Sequence, residues 1–182
     1  MSPGGHLLTT AAACAATAAL APSWPLILGV AVGGFLIDVD HVVDYVLVER
    51  QRDLRPDVFL RYYLEGRTRR LVLALHSYEL FALLAAVAWL TDAQALWGYL
   101  LGAAMHVALD ICFNGKFTPH SIGAFYSFAY RLSRGFDSRR LLGAEPLTTP
   151  RAFWSAFFMG AISERSAAPP PTAGDHATLE TR

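Results

Sequence analysis

The chain has 182 residues, 54% of them apolar and 16% charged, with 15 basic and 15 acidic side chains in balance. Every Lys and Arg lies at or after Arg50 and none falls between Leu71 and Gly115, a segregation that argues against nucleic acid as a partner and for a membrane. Cys14 and Cys112 sit inside apolar segments and build neither a disulfide framework nor a zinc-type cysteine spacing.

A bilayer core of about 30 Å takes roughly 17–25 residues of apolar helix. His6 to Ala21 is the first candidate; it has no basic flank before it, so it reads as a membrane helix rather than a signal peptide. Ser23-Trp24-Pro25 then makes a joint, and Pro25 to about Val43 is the second span. The connection 46–70 carries Arg50, Arg52, Arg55, Arg61, Arg67, Arg69 and Arg70, which the positive-inside rule places in the cytoplasm. Leu71 to Leu90 is the third span, Thr91-Asp92-Ala93-Gln94 a second joint, and Ala93 to Phe113 the fourth span. Phe117 to Tyr130 and Ala152 to Ile162 are too short to cross and suit the interface or the bundle surface. From about Glu164 the chain is rich in Ser, Ala, Pro and Thr and reads as a disordered tail.

The expected fold is therefore all-α, a polytopic membrane bundle of four transmembrane helices with extra interfacial helices. Residues 1–145 form the membrane-embedded domain, 146–163 a short interfacial helix and 164–182 the tail. Both termini fall in the cytoplasm, and the chain is expected to be a multi-pass protein of a bacterial-type inner membrane.

Helical rise of about 1.5 Å per residue places His6, Asp38, Asp40, His41, His76, His106 and Asp110 in one layer, within the cytoplasmic leaflet. A charged group in hydrocarbon costs at least about 2.5–3.5 kcal/mol, so such a set must face inward and pair. Imidazole with carboxylate suits a divalent metal, zinc first, with manganese or iron as alternatives. His106 and Asp110 share a helix face with Gly98 and Gly102, a small-residue stripe that lets membrane helices approach closely. Asp38, Asp40 and His41 can meet one centre only if the helix ends or loosens near Val39, which Gly33 and Gly34 would assist. Asp44, one turn past Asp40, is expected to orient a ligand or face water.

These motifs resemble the YdjM-like family of membrane-bound, metal-dependent hydrolases. The similar pieces are "GGHLLTTAA", "LIDVDH", "LALHS" and "GYLLGAAMHVALD", in the family's order over roughly residues 4 to 119. The resemblance implies a multi-helix inner-membrane protein with a metal centre and hydrolase activity. The chain departs from the family at Ile37, where a proline is usual, and at Leu71, where the family has a second histidine.

The expected function is metal-dependent hydrolysis of an ester or phosphoester at the cytoplasmic leaflet. The expected partners are membrane lipid and a small amphiphilic or phosphoester substrate, with no nucleic acid. Asp40 and Glu79 are the candidate proton acceptors, and Arg69, Arg70, Lys116 and His120 the candidate substrate-phosphate contacts. The alternative is a non-catalytic membrane protein, either a metal or proton transporter or a bundle held by its polar cluster.

Overall fold

The computed structural model of the chain describes residues 3–113, 120–143 and 153–154. Those residues are helical with no strand among them, apart from an isolated bridge of Arg70 with Asp137. The alanine-rich helix α1 (Pro3–Leu20) is followed by α2 (Trp24–Phe35), whose Pro25 sits in the first turn, where its missing N–H breaks no intrahelical bond.

Regular helix stops at Phe35. The backbone tightens into a 3₁₀ turn at Leu36–Asp38, resumes as α3 (Val39–Val43) and widens into a π turn at Asp44–Val48. The whole run, Trp24–Val48, is a 25-residue apolar rod long enough to cross a bilayer. α6 (Gln94–Phe113), with 20 residues, meets the same requirement.

Among the described residues, two helices of spanning length thus stand where four were expected. α1 and α5 (Tyr78–Thr91) are apolar but shorter. The expected third span fails at its start, because residues 71–77 are not regular helix, and the 14 residues of α5 reach only about 21 Å. Leu8, Trp24, Leu28, Trp89 and Leu90 are largely exposed, and only 33% of the apolar window of either long helix is buried. Such an outward apolar belt is the surface a hydrocarbon environment accepts.

Glycine sets how α2 and α6 meet. A Cβ at Gly29 would fall on the Ala95 carbonyl oxygen, one at Gly33 on that of Tyr99, one at Gly98 on that of Leu26 and one at Gly102 on that of Val30. The two helices therefore run parallel with backbones in contact, and the sequence's stripe of small residues on α6 meets a second stripe on α2. Gly33 and Gly34 were expected to assist a loosening near Val39; regular helix does end just after them, at Phe35, and both are also contact points, Gly33 against α6 and Gly34 against Thr10 of α1. Ser23 and Gln94 are hydrogen-bonded, so both interhelical joints lie at one end of this packing.

The chain divides into two units, Met1–Leu54 with Thr68–Glu145, and Arg55–Arg67 with Pro146–Arg182. In the first, three short helices follow α6: α7 (Ile122–Phe125), α8 (Phe128–Ser133) and α9 (Ser138–Leu141), capped by Ser121, Ser127 and Asp137. In the second, α4 (Pro56–Leu64) sets the Phe59 and Tyr63 rings 5.2 Å apart, and the Arg61 guanidinium lies 4.9 Å from the Phe153 ring centre. Apart from Phe153 and Trp154, the expected interfacial helix 146–163 and the tail 164–182 lie outside the described residues.

Candidate metal centre

Because α6 packs its glycine face against α2, His106 on that face is fully buried. Its Nδ1 lies 2.9 Å from the carbonyl oxygen of Gly34. A carbonyl can only accept, so Nδ1 carries a proton and Nε2 is the nitrogen turned toward the carboxylates. That Nε2 is 3.3 Å from Asp38 Oδ1 and 3.4 Å from Asp110 Oδ2.

His76 repeats the arrangement from another direction. Its Nδ1 lies 3.0 and 3.1 Å from the two oxygens of Asp40, and its Nε2 is 3.5 Å from the same Asp38 Oδ1. Both Nε2 atoms are buried, and the polar groups they face are carboxylate oxygens at ion-pair distance rather than well-aligned hydrogen-bond partners. Two imidazole nitrogens converging on one carboxylate oxygen make a donor set of the kind that suits a divalent cation. Ligands about 2.0–2.1 Å from a tetrahedral ion sit roughly 3.4 Å from one another, which is the spacing found here. Asp38, His76 and His106 thus form a group that could hold a metal ion.

The Nδ1 contacts complete the pattern, since metal-binding histidines hand their second N–H to a carboxylate or backbone carbonyl. Two further groups of the same kind overlap the first: His6, His106 and Asp110, and Asp40, His41 and His76. His6 Nε2 lies 3.0 Å from Asp110 Oδ1, and its ring stacks on His106 with centroids 3.8 Å apart. His41 Nε2 is 3.8 Å from Asp38 Oδ1. The side chain of Asp38 is 41% exposed while His76 and His106 are closed off, so the cluster opens on its Asp38 side.

The segment before α5, which is not α-helical and ends in a 3₁₀ turn at Ala74–His76, places His76, and two sets of groups hold it. Asp40 accepts from Leu75 N, Asp44 from Val72 N and Leu73 N, and Glu49 from Arg69 N and Arg70 N. These acids lie four and then five residues apart; the π turn absorbs the extra residue and keeps Glu49 on the same face. On the other side the buried guanidinium of Arg131 donates to the carbonyls of Val72, Leu73, His76 and Phe125. Burial pulls the Arg131 pKa below its ordinary value, and the negative charges of Asp40, Glu79 and Asp44 push back.

The other sequence candidates have identifiable partners. Asp40, expected as ligand and proton acceptor, has its carboxylate engaged by Leu75 N and His76 Nδ1. Glu79, the second expected acceptor, receives hydrogen bonds from Ser127 Oγ, Phe128 N and Ala129 N, and so ties α5 to the start of α8. Asp44 faces backbone rather than water and is 3% exposed. Arg69 points outward with its Nε 3.6 Å from Glu49, Arg70 is exposed, and exposed His120 donates its backbone N–H to Leu141. Lys116 lies outside the described residues. Leu71, at the position of the resembled family's second histidine, is a buried apolar side chain.

Arg131 and Glu49 are the residues that sequence reasoning missed. Their nearest signal was charge beside apolar sequence, which the positive-inside pattern had already explained for arginines. Comparison of the chain with family models, with curated proteins and with solved structures returns no match.

Proposed function

We propose that this chain is a metal-dependent hydrolase acting on an ester or phosphoester at the cytoplasmic leaflet of an inner membrane. The resemblance to YdjM-like hydrolases is part of that reading. The observation that carries it is the pair of buried Nε2 atoms, of His76 and His106, that converge on Asp38 Oδ1 while their Nδ1 atoms are held from behind.

Asp38, His76, His106 and Asp110 would hold the ion, with zinc the best chemical match to an imidazole–carboxylate set. A divalent ion there supplies Lewis-acid polarisation of an acyl or phosphoryl oxygen and lowers the pKa of water from about 15.7 toward 7. The protein's own groups do the rest. Asp40 fixes the His76 tautomer and ring direction, and His6 braces His106 and Asp110. His41, part-exposed beside Asp38, is placed to exchange a proton with the open side of the cluster. α1 and α5, though short, pass through the same leaflet as α2 and α6 in this reading, with the basic connection 46–70 at the cytoplasmic face.

The test is elemental analysis of detergent-purified protein beside His106→Ala and Asp110→Ala. Wild-type protein should hold metal near one equivalent or more and cleave phospholipid or phosphate-ester substrates, and both variants should lose both properties. Equal metal in all three proteins would remove the centre.

Asp40→Asn is a milder probe. It keeps an oxygen for Leu75 N while presenting no carboxylate to His76, so metal affinity measured by chelator competition should fall about 10–100-fold with the helical fold intact. Unchanged affinity would mean that Asp40 does not set the His76 ring.

A further inference from the structure

The face of α1 turned toward α2 is not fully closed. An open groove of about 300 Å³ runs between the two helices, lined by Leu7, Thr10, Ala11 and Cys14 on one side, with the Thr10 hydroxyl oxygen buried, and Ala31, Phe35 and Leu36 on the other. Its accessible walls are wholly apolar. From Leu7 to Cys14 it follows α1 for about 10 Å, parallel to the helix.

Both ends of the groove wall are informative. At one end Leu7 is next in sequence to His6 and Leu36 stands two residues before Asp38, so the groove ends at the depth of the metal-type cluster, whose exposed member is Asp38. At the other end Cys14 lies deeper in the apolar part of the hairpin, its Sγ 3.8 Å from the Ile27 carbonyl oxygen. Leu7, Leu8 and Leu36 are each more than half exposed around the opening. The groove therefore opens sideways, through the same apolar surface that faces hydrocarbon.

We infer that this groove seats one acyl chain of a membrane lipid, drawn in laterally, so that the lipid's head-group ester or phosphoester reaches the cluster at Asp38. The inference rests on the hydrolase reading and names its substrate class. Three features select a lipid chain. The walls offer no polar atom to a peptide backbone or a sugar. The volume takes a single chain and not a helix about 10–12 Å across. The groove also runs parallel to the helices read as crossing the membrane, the direction in which acyl chains lie, with its Leu7–Leu36 end at the depth of the His and Asp cluster.

The experiment uses full-length protein in vesicles of phosphatidylethanolamine and phosphatidylglycerol containing a phospholipid with a mid-chain diazirine. After illumination, adducts are mapped by peptide mass spectrometry and metal is measured on the same sample. Labelling at groove positions on α1 and α2 should exceed that at the outward residues Leu83 and Leu90 of α5 by about tenfold. Ala11→Phe, a change on an exposed side of α1, should remove the excess while leaving metal content unchanged. Labelling spread evenly over the apolar belt in metal-loaded wild-type protein would overturn the groove and leave the metal centre standing. Crosslinks of α1 or α2 to a second copy of the chain in place of lipid would overturn it as well. Groove-concentrated labelling on protein without metal would keep the lipid site and overturn the hydrolase reading.

Discussion

Replacing Arg131 with methionine should destabilise the protein by about 3–5 kcal/mol, measured as unfolding in a denaturing-detergent titration. The guanidinium is fully buried and donates to four carbonyls, those of Val72, Leu73, His76 and Phe125. Methionine fills much of the volume and offers no donor, so those oxygens lose their partner. The positive charge that faces the buried carboxylates of Asp40 and Asp44 also disappears, leaving them less compensated. His76 should then lose its position, and metal affinity should fall at least about tenfold alongside stability. Arg131→Lys should recover only part of both losses, because an ammonium cannot reproduce the planar fork that spans Val72 to Phe125. A methionine variant as stable as wild type would show that the segment before α5 is held without Arg131.

The second large effect is steric. Gly33→Leu should cost at least the upper end of the usual overpacking range of about 1–3 kcal/mol, because the obstacle is the backbone oxygen of Tyr99 and no rotamer change can clear it. α2 and α6 must separate, and the separation breaks the reach from His106 to the Gly34 carbonyl. Gly102→Leu meets the Val30 carbonyl and should behave alike. Gly123→Ala is the control, since nothing lies within 4 Å of its added carbon and stability should hold within about 0.5 kcal/mol. Equal stability of Gly33→Leu and Gly123→Ala would contradict the contact between α2 and α6.

These two predictions depend on features of different visibility. The α6 stripe of Gly98 and Gly102 is readable because small residues one turn apart on an apolar helix have few other uses, and it places His106 and Asp110 on a buried face. Arg131 is not readable in this way. In sequence it is one arginine among those of a basic C-terminal half, and its burial follows from carbonyls 55–59 residues earlier in the chain.

The segment before α5 shows the same limit. Leu71 to Leu75 is apolar and continuous with α5, so local hydropathy extends the helix back to Leu71. The backbone there instead gives N–H groups to Asp40 and Asp44 and carbonyls to Arg131, Glu49 holds Arg69 N and Arg70 N just before it, and Leu73 adopts a left-handed conformation with φ 44°. Helix propensity differs by only some tenths of a kcal/mol between such residues, whereas a hydrogen bond to a charged group contributes about 1.5–3 kcal/mol. Distant charges therefore outweigh local preference, and a span expected from Leu71 begins as helix only at Tyr78.

What the amino-acid sequence determined by itself is the inventory and the helical class: apolar helices, a stripe of glycines, and His and Asp side chains too costly to leave facing lipid. Those follow from side-chain chemistry and helical period, which are local. Only the tertiary structure decided which nitrogen of each histidine faces Asp38, that Asp40, Asp44 and Glu49 hold backbone, and that Glu79 caps α8. A hydrogen-bonding group takes its role from the partner that reaches it, and here those partners come from other parts of the chain.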